Sequence, residues 1–437
     1  MIGRLVAAAL LAIGAMAQDQ PQRAELERAV AAYFAADDAA TNSTLAAVMK
    51  LARGNDAMLI DVVTKKTFVA RTDAIDQRGT IDATYRFVAD APTPAGQQGN
   101  DARLVGPAPG DALFPLVVYV PDATGTVAFD RELRAEGIGA KRFVFLVPDE
   151  KRDNRYAPSL HEHRRHAGPL RDLLLALPVD PDRVYMVGSG RGGHATWDVG
   201  LLCADRWAGI FPCNGGLVHE GGWKASGGVF VGNARSFATF LVFNTSFDHG
   251  IESCRYAVKK LREWSCRIDA VEEPSMRVMG VAEAMAKLAP VVRNAHPRRI
   301  EKRFNHLVDG EHYWLRALDR RPKEWDPAAK IIVKDWPQDP AQQLETVWEA
   351  VRQMCGHLAG TVAGNRFDVT AHGTSKVRVY LDPELVDFDA PVTFAVNGKV
   401  ARTLKPERKL DVMLQHVRET GDTKRLYFAF VDLPVGP

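Results

Sequence analysis

The central part of the chain constrains the fold most, because short apolar runs alternate there with helix-like segments. The apolar runs are Leu116–Val120, Phe143–Val147, Val184–Val187, Gly209–Phe211 and Phe240–Phe243. The helix-like segments are Val127–Glu136, Pro169–Leu177, Gly192–Cys203 and Ser253–Trp264. Continuous apolar strands separated by helices indicate a parallel sheet that is covered on both faces. The pattern predicts an α/β domain with a doubly wound, mostly parallel sheet.

The segment before this domain predicts an N-terminal accessory region. From Ala24 to Arg53 apolar residues recur at helical spacing, with a break and cap at Thr41-Asn42-Ser43, which predicts a helical hairpin. Leu59–Val63 and Ile81–Phe87 alternate weakly and predict short strands. The Pro/Gly-rich stretch Pro92–Gly110 then reads as a linker.

The tail after Gly364 predicts a small antiparallel β domain, since it shows no helical periodicity. Its apolar runs are Phe367–Ala371, Val377–Leu381, Val392–Val396 and Leu426–Val431. The dipeptide Asn397-Gly398 follows one of these runs and is a strong signal for a tight hairpin turn.

A chain of 437 residues exceeds the size of one hydrophobic core, so we expect several structural units. The predicted division is a signal peptide over 1–17, the accessory region over 18–110, the α/β domain over 111–361 and the β domain over 362–437.

The first residues predict export. Arg4 gives a positive start, Leu5–Ile13 is a short apolar run, and Ala15-Met16-Ala17 fits a cleavage site, so the mature chain is expected to begin at Gln18. The apolar run is shorter than the roughly 20 residues that a membrane helix needs. We therefore expect a periplasmic or extracellular protein without integral membrane association.

Composition narrows the classes of partner and chemistry. Lys plus Arg number 56 and Asp plus Glu number 54. Because the charges are nearly balanced, the chain has no overall positive electrostatic field that would attract a nucleic acid. The five cysteines are an odd number without Cys-x-x-Cys spacing, which disfavours zinc or redox work and predicts buried small hydrophobes with at most one or two disulfides. They are Cys203, Cys213, Cys254, Cys266 and Cys355.

The most informative motif joins an apolar strand to a helix through a glycine-rich turn. The strand begins within Asp180-Pro181-Asp182-Arg183-Val184-Tyr185, and the turn is Gly188-Ser189-Gly190-Arg191-Gly192-Gly193. Small residues two before and two after an apex are the design of a nucleophile elbow, and the apex is Gly190. The glycines lie too close together for the G-x-G-x-x-G pattern, so no dinucleotide cofactor is predicted.

This motif, together with Trp197, resembles the α/β-hydrolase superfamily, in particular its secreted esterase, dienelactone-hydrolase and prolyl-oligopeptidase-like group. The resemblance covers about Leu113 to Leu315 and implies a serine at the apex, where this chain has Gly190. Glycine has no side chain to attack a carbonyl, so acyl transfer through this position is excluded. Ser189 is an alternative nucleophile, but its flanks Val187 and Arg191 are not small, which favours an ordinary turn serine.

The resemblance also implies positions for the other two members of a catalytic triad. Asp248, after the strand Phe240–Phe243, matches the acid, although a helix N-cap is the alternative. His312 matches the histidine loop. A surface role for His312 stays open, as do His306 and His296 as competing histidines.

The predicted oxyanion loop also counts against ordinary catalysis. In place of the family's His-Gly oxyanion loop the chain has Pro121-Asp122, which removes one N–H donor and adds a negative charge.

Three histidines that lie close together in the sequence are spaced by two, three and five residues, not by four as on one helix face, so no metal site is predicted. They are His161, His163 and His166.

These observations favour an exported α/β-hydrolase-fold protein that is catalytically degenerate and acts by binding, with a small-molecule ester, a peptide or a glycan as its ligand. The alternative is a serine hydrolase, an esterase or peptidase, with a relocated nucleophile such as Ser189 or Ser246. A third hypothesis is an interaction scaffold that works through its N-terminal helices and β tail. The sequence leaves the oligomeric state undetermined.

Overall fold

The structure is a computed structural model that describes most of the chain in ten segments. These are residues 20–69, 80–86, 101–107, 113–120, 144–148, 167–217, 228–245, 250–274, 281–321 and 336–436. Several sequence predictions lie outside them: the signal peptide 1–17, the oxyanion-loop residues Pro121 and Asp122, the helix Val127–Glu136, His161, His163, His166, Ser246 and Asp248.

The described segments contain helices and strands that we number in chain order. The helices are α1 (20–35), α2 (Thr41–Ala52), α3 (Asp56–Lys65), α4 (Pro169–Ala176), α5 (Arg191–Leu202), α6 (Ile251–Glu263), α7 (Val281–Leu288), α8 (Pro340–Met354) and α9 (Leu410–Thr420), with short 3₁₀ helices at Val231–Ser236 and Leu307–Asp309. The first eight strands are β1 (Thr80–Arg86), β2 (Asp101–Pro107), β3 (Phe114–Val120), β4 (Val144–Pro148), β5 (Val179–Ser189), β6 (Gly209–Cys213), β7 (Ala238–Asn244) and β8 (Ile268–Glu273). The others are β9 (Arg299–Phe304), β10 (Glu311–His312), β11 (Leu315–Ala317), β12 (Gly356–Ala363), β13 (Arg366–His372), β14 (Lys376–Leu381), β15 (Val392–Val396), β16 (Lys399–Leu404) and β17 (Ala429–Pro434).

The first eight strands form one sheet in the order β1-β2-β4-β3-β5-β6-β7-β8. The pairs β1/β2 and β2/β4 are antiparallel, and every later pair is parallel. Strands β6 and β7 are buried along their whole length, as continuous apolar strands in a parallel sheet must be. The predicted doubly wound, mostly parallel sheet is confirmed.

The two faces of this sheet carry separate apolar cores, because successive side chains of a strand point to opposite faces. On one face Val118 and Met186 pack in a cluster with Trp197 of α5. On the other face Val117 and Tyr185 pack in a cluster with residues of α7. Helices therefore cover both faces, and the strand ends are left for the loops.

The later strands form two further sheets, with the orders β10-β11-β14-β17 and β16-β15-β13-β12-β9. All their pairs are antiparallel except β13/β15. The predicted hairpin turn joins β15 to β16, where Asn397 and Gly398 both have positive φ, 48° and 80°. The separate antiparallel β region is confirmed.

The strand predicted at Leu59–Val63 is wrong, because these residues lie in helix α3. Leu59, Val62 and Val63 are its buried residues, at positions i, i+3 and i+4. This is the spacing of one helix face, and weak alternation over five residues does not outweigh it.

Two more predictions need correction. The stretch Pro92–Gly110, predicted as a linker, contains strand β2. The tail, predicted without a helix, contains α9, whose residues Met413, Leu414 and Val417 are buried. Their spacing of one, three and four residues is that of a helix face. The helix was not predicted because a stripe of only three apolar residues between strands is a weak periodic signal.

The accessory region, the α/β domain and the β domain, predicted as separate units, share hydrophobic cores and sheets in the structure. Helices α1 to α3 contribute Val30 and Leu59 to one apolar cluster with Trp314 and Phe367 of the later sheets. Strands β1 and β2, also placed in the accessory region, form one edge of the central sheet. The predicted boundary at residues 361 and 362 falls within β12, which pairs with β9 and β13.

All five cysteines are described, and each is free and at least partly buried. The prediction of buried small hydrophobes holds for Cys213, Cys254 and Cys355, whereas Cys203 and Cys266 are half-buried, and no disulfide joins any of the five. None of the described helices is long and apolar enough to cross a membrane.

Buried charges join the central sheet to the later sheets. Arg293 Nη2 lies 2.8 Å from both Asp182 Oδ1 and Asp422 Oδ2. Arg425 reaches Asp422 Oδ2 through Nε and Asp205 Oδ2 through Nη1, each at 2.7 Å. All five side chains but Asp182 belong to buried residues. Asp182 belongs to the start of β5, so the Asp-Pro-Asp-Arg-Val-Tyr motif anchors this network, which we call the buried ion network.

A buried lysine fixes the N-terminal helices to the same strand. Lys66 is 1% exposed, and its Nζ donates to the carbonyl oxygens of Leu177 and Val179, each at 3.0 Å. Burial lowers the pKa of Lys66 to about 7, although the negative charges of Asp422 and Asp180 oppose this shift. The residue after α3 therefore holds that helix against the first residues of β5.

We expect Asp422→Asn to lower the free energy of unfolding by about 3–5 kcal/mol, because it leaves Arg293 and Arg425 buried with one partner fewer. Asp368→Asn is the matched control, since Asp368 pairs with Arg366 on the surface, where an ion pair contributes about 0–1 kcal/mol. Urea unfolding curves measure both changes. Equal losses in the two variants would contradict a special role for the buried ion network.

Candidate functional site

The turn after β5 lies at the carboxyl edge of the central sheet and has the backbone of a nucleophile elbow. Strand β5 ends at Ser189, Gly190 follows with φ 54° and ψ −115°, and α5 begins at Arg191. A positive φ is strained for any residue with a Cβ, and a nucleophile elbow imposes such strain on its apex. The turn therefore has the backbone geometry of an elbow, with glycine at its apex.

Glycines make this turn possible through close backbone contacts. A Cβ on Gly188 would lie 2.2 Å from the carbonyl oxygen of Gly192, and a Cβ on Gly193 would lie 2.5 Å from that of Cys213. The Gly190 N–H donates to the same Cys213 carbonyl oxygen at 2.8 Å. Strand β5, helix α5 and the end of β6 thus approach each other at distances that only glycine allows.

The neighbouring strand ends add polar side chains to the same edge. Asn214 follows β6 with φ 50°, and its Oδ1 accepts a hydrogen bond of 2.9 Å from Asn244 Nδ2 at the end of β7. His194, in the first turn of α5, has Nδ1 2.9 Å from the carbonyl oxygen of Gly216. Burial lowers the pKa of His194, so its imidazole is neutral at neutral pH. The edge is polar but carries little charge from these three residues.

Helix α5 directs its amino terminus at this edge. Its first hydrogen bond within the helix runs from His194 N–H to the Gly190 carbonyl oxygen. The N–H groups of Gly192 and Gly193, in the preceding turn, therefore have no acceptor within the helix. With the positive end of the helix dipole, they favour a negative or strongly polar oxygen beside Gly190.

Ser189, the alternative nucleophile, pairs with Cys213 of β6 along the strand and is half-buried. Within the described segments it makes no hydrogen bond to a histidine, so no general base is in place for it. Ser246 and the acid Asp248 are outside the described residues, as are Pro121 and Asp122 of the oxyanion loop. Their roles stay predictions.

The structure does not bring His312 to the elbow. His312 Nε2 lies 2.9 Å from Ser236 Oγ, and Ser236 lies two residues before the start of β7. Gly190 follows the end of the parallel strand β5. The histidine is therefore at the amino edge of the sheet, a strand length of about 20 Å from the elbow, and the prediction that His312 completes a triad there is wrong.

The two competing histidines have other surroundings. His296 Nε2 lies 2.9 Å from Asp382 Oδ2 in the later β region. His306 is buried immediately before the 3₁₀ helix Leu307–Asp309. These contacts place neither His296 nor His306 at the carboxyl edge, where the elbow lies.

Sequence reasoning missed both the polar groups at the elbow and the partners of His312. His194 stands one residue beyond the glycines that define the motif, so extending the motif by one position would have included it. Asn214 and Asn244 end apolar runs, which is the signal for side chains at a sheet edge. Nothing in the sequence near Asp205 or Ser236 indicates that they approach His312. Among the described residues, no group of three His, Cys, Asp or Glu side chains is arranged to hold a metal ion.

Several solved structures are similar to this chain. A thermostable esterase is 18% identical over 49% of this chain and 64% of its own, less than two thirds of its length, with a TM-score of 0.37. The acylaminoacyl peptidase of Pyrococcus horikoshii is 12% identical over 46% and 38%, with a TM-score of 0.34. A phospholipase/carboxylesterase of Dyadobacter fermentans is 16% identical over 43% and 94%, with a TM-score of 0.31. No protein-family model matches the sequence, and no curated protein matches it significantly.

We expect Gly188→Ala to lower the free energy of unfolding by about 3 kcal/mol or more, because its Cβ would overlap the backbone of Gly192. Gly398→Ala is the control: Gly398 has φ 80° but open space around it, so the cost is the backbone strain alone, about 1–2 kcal/mol. Urea unfolding of the two variants separates crowding from strain. A loss no larger in Gly188→Ala than in the control would contradict the close approach.

Proposed function

We propose that this chain, which has the α/β-hydrolase fold, binds a ligand at its elbow and forms no acyl-enzyme there. The fold rests on the order of the eight strands and on the sharp turn from the fifth strand into a helix. A fold of this kind does not determine the chemistry, which depends on the residues at the site.

The observation that carries the proposal is Gly190 at an apex whose strained backbone is otherwise retained. Acyl transfer needs a nucleophile and a base within hydrogen-bond reach, and glycine supplies no nucleophile. The histidine predicted as the base lies at the opposite edge of the sheet, beside Ser236. The nucleophile and the predicted base, His312, are therefore both absent from the described part of the elbow.

The groups that remain are suited to holding an oxygen atom of a ligand. The apex without a side chain leaves room beside the amino terminus of α5, where N–H groups and the helix dipole attract negative charge. The amide pair Asn214 and Asn244 offers further donors and acceptors. We infer that the ligand carries a carboxylate or a carbonyl oxygen, as a peptide, an ester or an acidic glycan does.

The first experiment treats the folded protein with a fluorophosphonate and maps adducts by mass spectrometry. We expect no adduct on Ser189 or Ser246, because no histidine in the described part of the elbow is hydrogen-bonded to a serine. Binding of benzoate, as a carboxylate probe, is followed by saturation-transfer NMR. We expect the native protein to bind benzoate at this edge.

Gly190→Ser is the matched variant, since a serine is the residue that this fold accommodates at the apex. Its side chain would occupy the space of the ligand oxygen, and the loss of about 1 kcal/mol of hydrogen bonding corresponds to about fivefold weaker benzoate binding. An adduct on a native elbow serine, or benzoate binding that the variant leaves unchanged, would count against the proposal.

We also propose that the chain is exported, on the basis of Arg4, the apolar run Leu5–Ile13 and the site Ala15-Met16-Ala17. Amino-terminal sequencing of the mature protein from a bacterial host is expected to begin at Gln18. A chain that keeps its first residues, Met1 included, and stays in the cytoplasmic fraction would exclude cleavage and export.

A further inference from the structure

The amino edge of the central sheet holds a serine and a histidine in direct contact. Ser236 ends the 3₁₀ helix that precedes β7, and His312 lies in the short strand β10. The distance from Ser236 Oγ to His312 Nε2 is 2.9 Å. A hydroxyl and an imidazole at this distance are the first requirement for an activated serine nucleophile.

Asp205 supplies a third group on the other side of the imidazole. Its Oδ1 lies 3.9 Å from His312 Nδ1, and its Oδ2 is fixed by Arg425 Nη1 at 2.7 Å. The buried Nδ1 has no hydrogen-bond partner among the described residues. Such contacts are often long in an empty site and shorten when a substrate is bound. The three side chains, from three distant parts of the chain, therefore stand in the order acid, base and nucleophile.

The charges of this group suit general base catalysis. His312 is fully buried, and burial lowers its pKa; Asp205 opposes this shift, whereas the positive charges of Lys302 and Arg425 add to it. The imidazole is therefore neutral, and Nε2 is able to accept a proton. Burial disfavours ionisation of Asp205, but Arg425 and His312 together hold the pKa of that carboxyl well below its ordinary value. The pair is thus a neutral imidazole beside a carboxylate, as in a working triad.

Ser236 is the most exposed of the three residues. It is half-buried, next to the exposed Arg235, whereas His312 and Asp205 lie inside the protein. The next residue after the histidine, Tyr313, has φ 50° and donates its hydroxyl to the Ser236 carbonyl oxygen at 3.3 Å. Strained non-glycine backbone of this kind concentrates at functional sites. The serine is therefore partly exposed, and its two partners are buried behind it.

We propose that Ser236 is a reactive serine that accepts the acyl group of small esters, with His312 as its general base and Asp205 as the residue that orients His312. Ser236 Oγ bonds to the carbonyl carbon while its proton passes to His312 Nε2. The bond from that carbon to the alcohol oxygen then breaks, and the alcohol takes the proton from Nε2. Water hydrolyses the acyl-serine by the same two steps and releases the carboxylic acid.

The test maps fluorophosphonate adducts in the folded full chain, where phosphorus bonds to the serine oxygen and fluoride leaves with the proton. We expect an adduct on Ser236 and a labelling rate about 100-fold lower in His312→Gln, which lacks the base. His416→Gln is the matched control. His416 is also buried, its Nε2 lies 3.8 Å from Glu311 Oε1, and among the described residues its ring nitrogens make no hydrogen bond to a serine, so labelling stays at the native rate.

The pH dependence of labelling in the native protein keeps the test decisive if His312→Gln does not fold. Because the pKa of His312 lies below the ordinary value of 6.5, the rate is expected to be constant above pH 6.5 and to fall at lower pH as Nε2 is protonated. The proposal is overturned if no adduct forms on Ser236. It is also overturned if the labelling rate of Ser236 is the same at all pH values and the same in His312→Gln as in the native protein. Adducts on Ser189 or Ser246 contradict the elbow proposal instead, so the site of labelling shows which of the two proposals has failed.

Discussion

The buried ion network is the interaction on which the relative placement of the parts depends. Asp182 belongs to β5 and Arg293 precedes β9, whereas Asp422 and Arg425 follow α9. A charge removed from water is tolerable only with partners of opposite sign at short distance, so an arrangement that separates these segments would leave unpaired charge inside the protein. Pairing of this kind specifies position more than it adds stability. The later sheets are thereby held at the amino edge of the central sheet.

This placement gives the two edges of the central sheet different side chains. At the carboxyl edge the sharp turn into α5 has Gly190, which carries no side chain, at its apex. At the amino edge, the covering β region brings His312 against Ser236 and Asp205. A fold offers positions, and its chemistry depends on which side chains meet at them.

The glycine-rich backbone of the elbow has a packing explanation. Gly188 and Gly193 approach the backbones of Gly192 and Cys213 so closely that a larger residue would separate strand β5 from α5 and β6. These contacts belong to the core between the strands and the helix. The glycine pattern is therefore a requirement of the fold, and its presence says more about architecture than about catalysis.

The sequence by itself determined the central sheet and its elbow, because continuous apolar strands and small residues around an apex are local patterns with one structural solution. It misassigned α3 and overlooked α9, where short apolar stripes carry a weak periodic signal. Only the tertiary structure decided that the N-terminal helices share a core with the later sheets, and that His312 faces Ser236 and not Gly190. Such contacts join residues far apart in the chain, and they depend on packing and on pairing of buried charge, which no local pattern records.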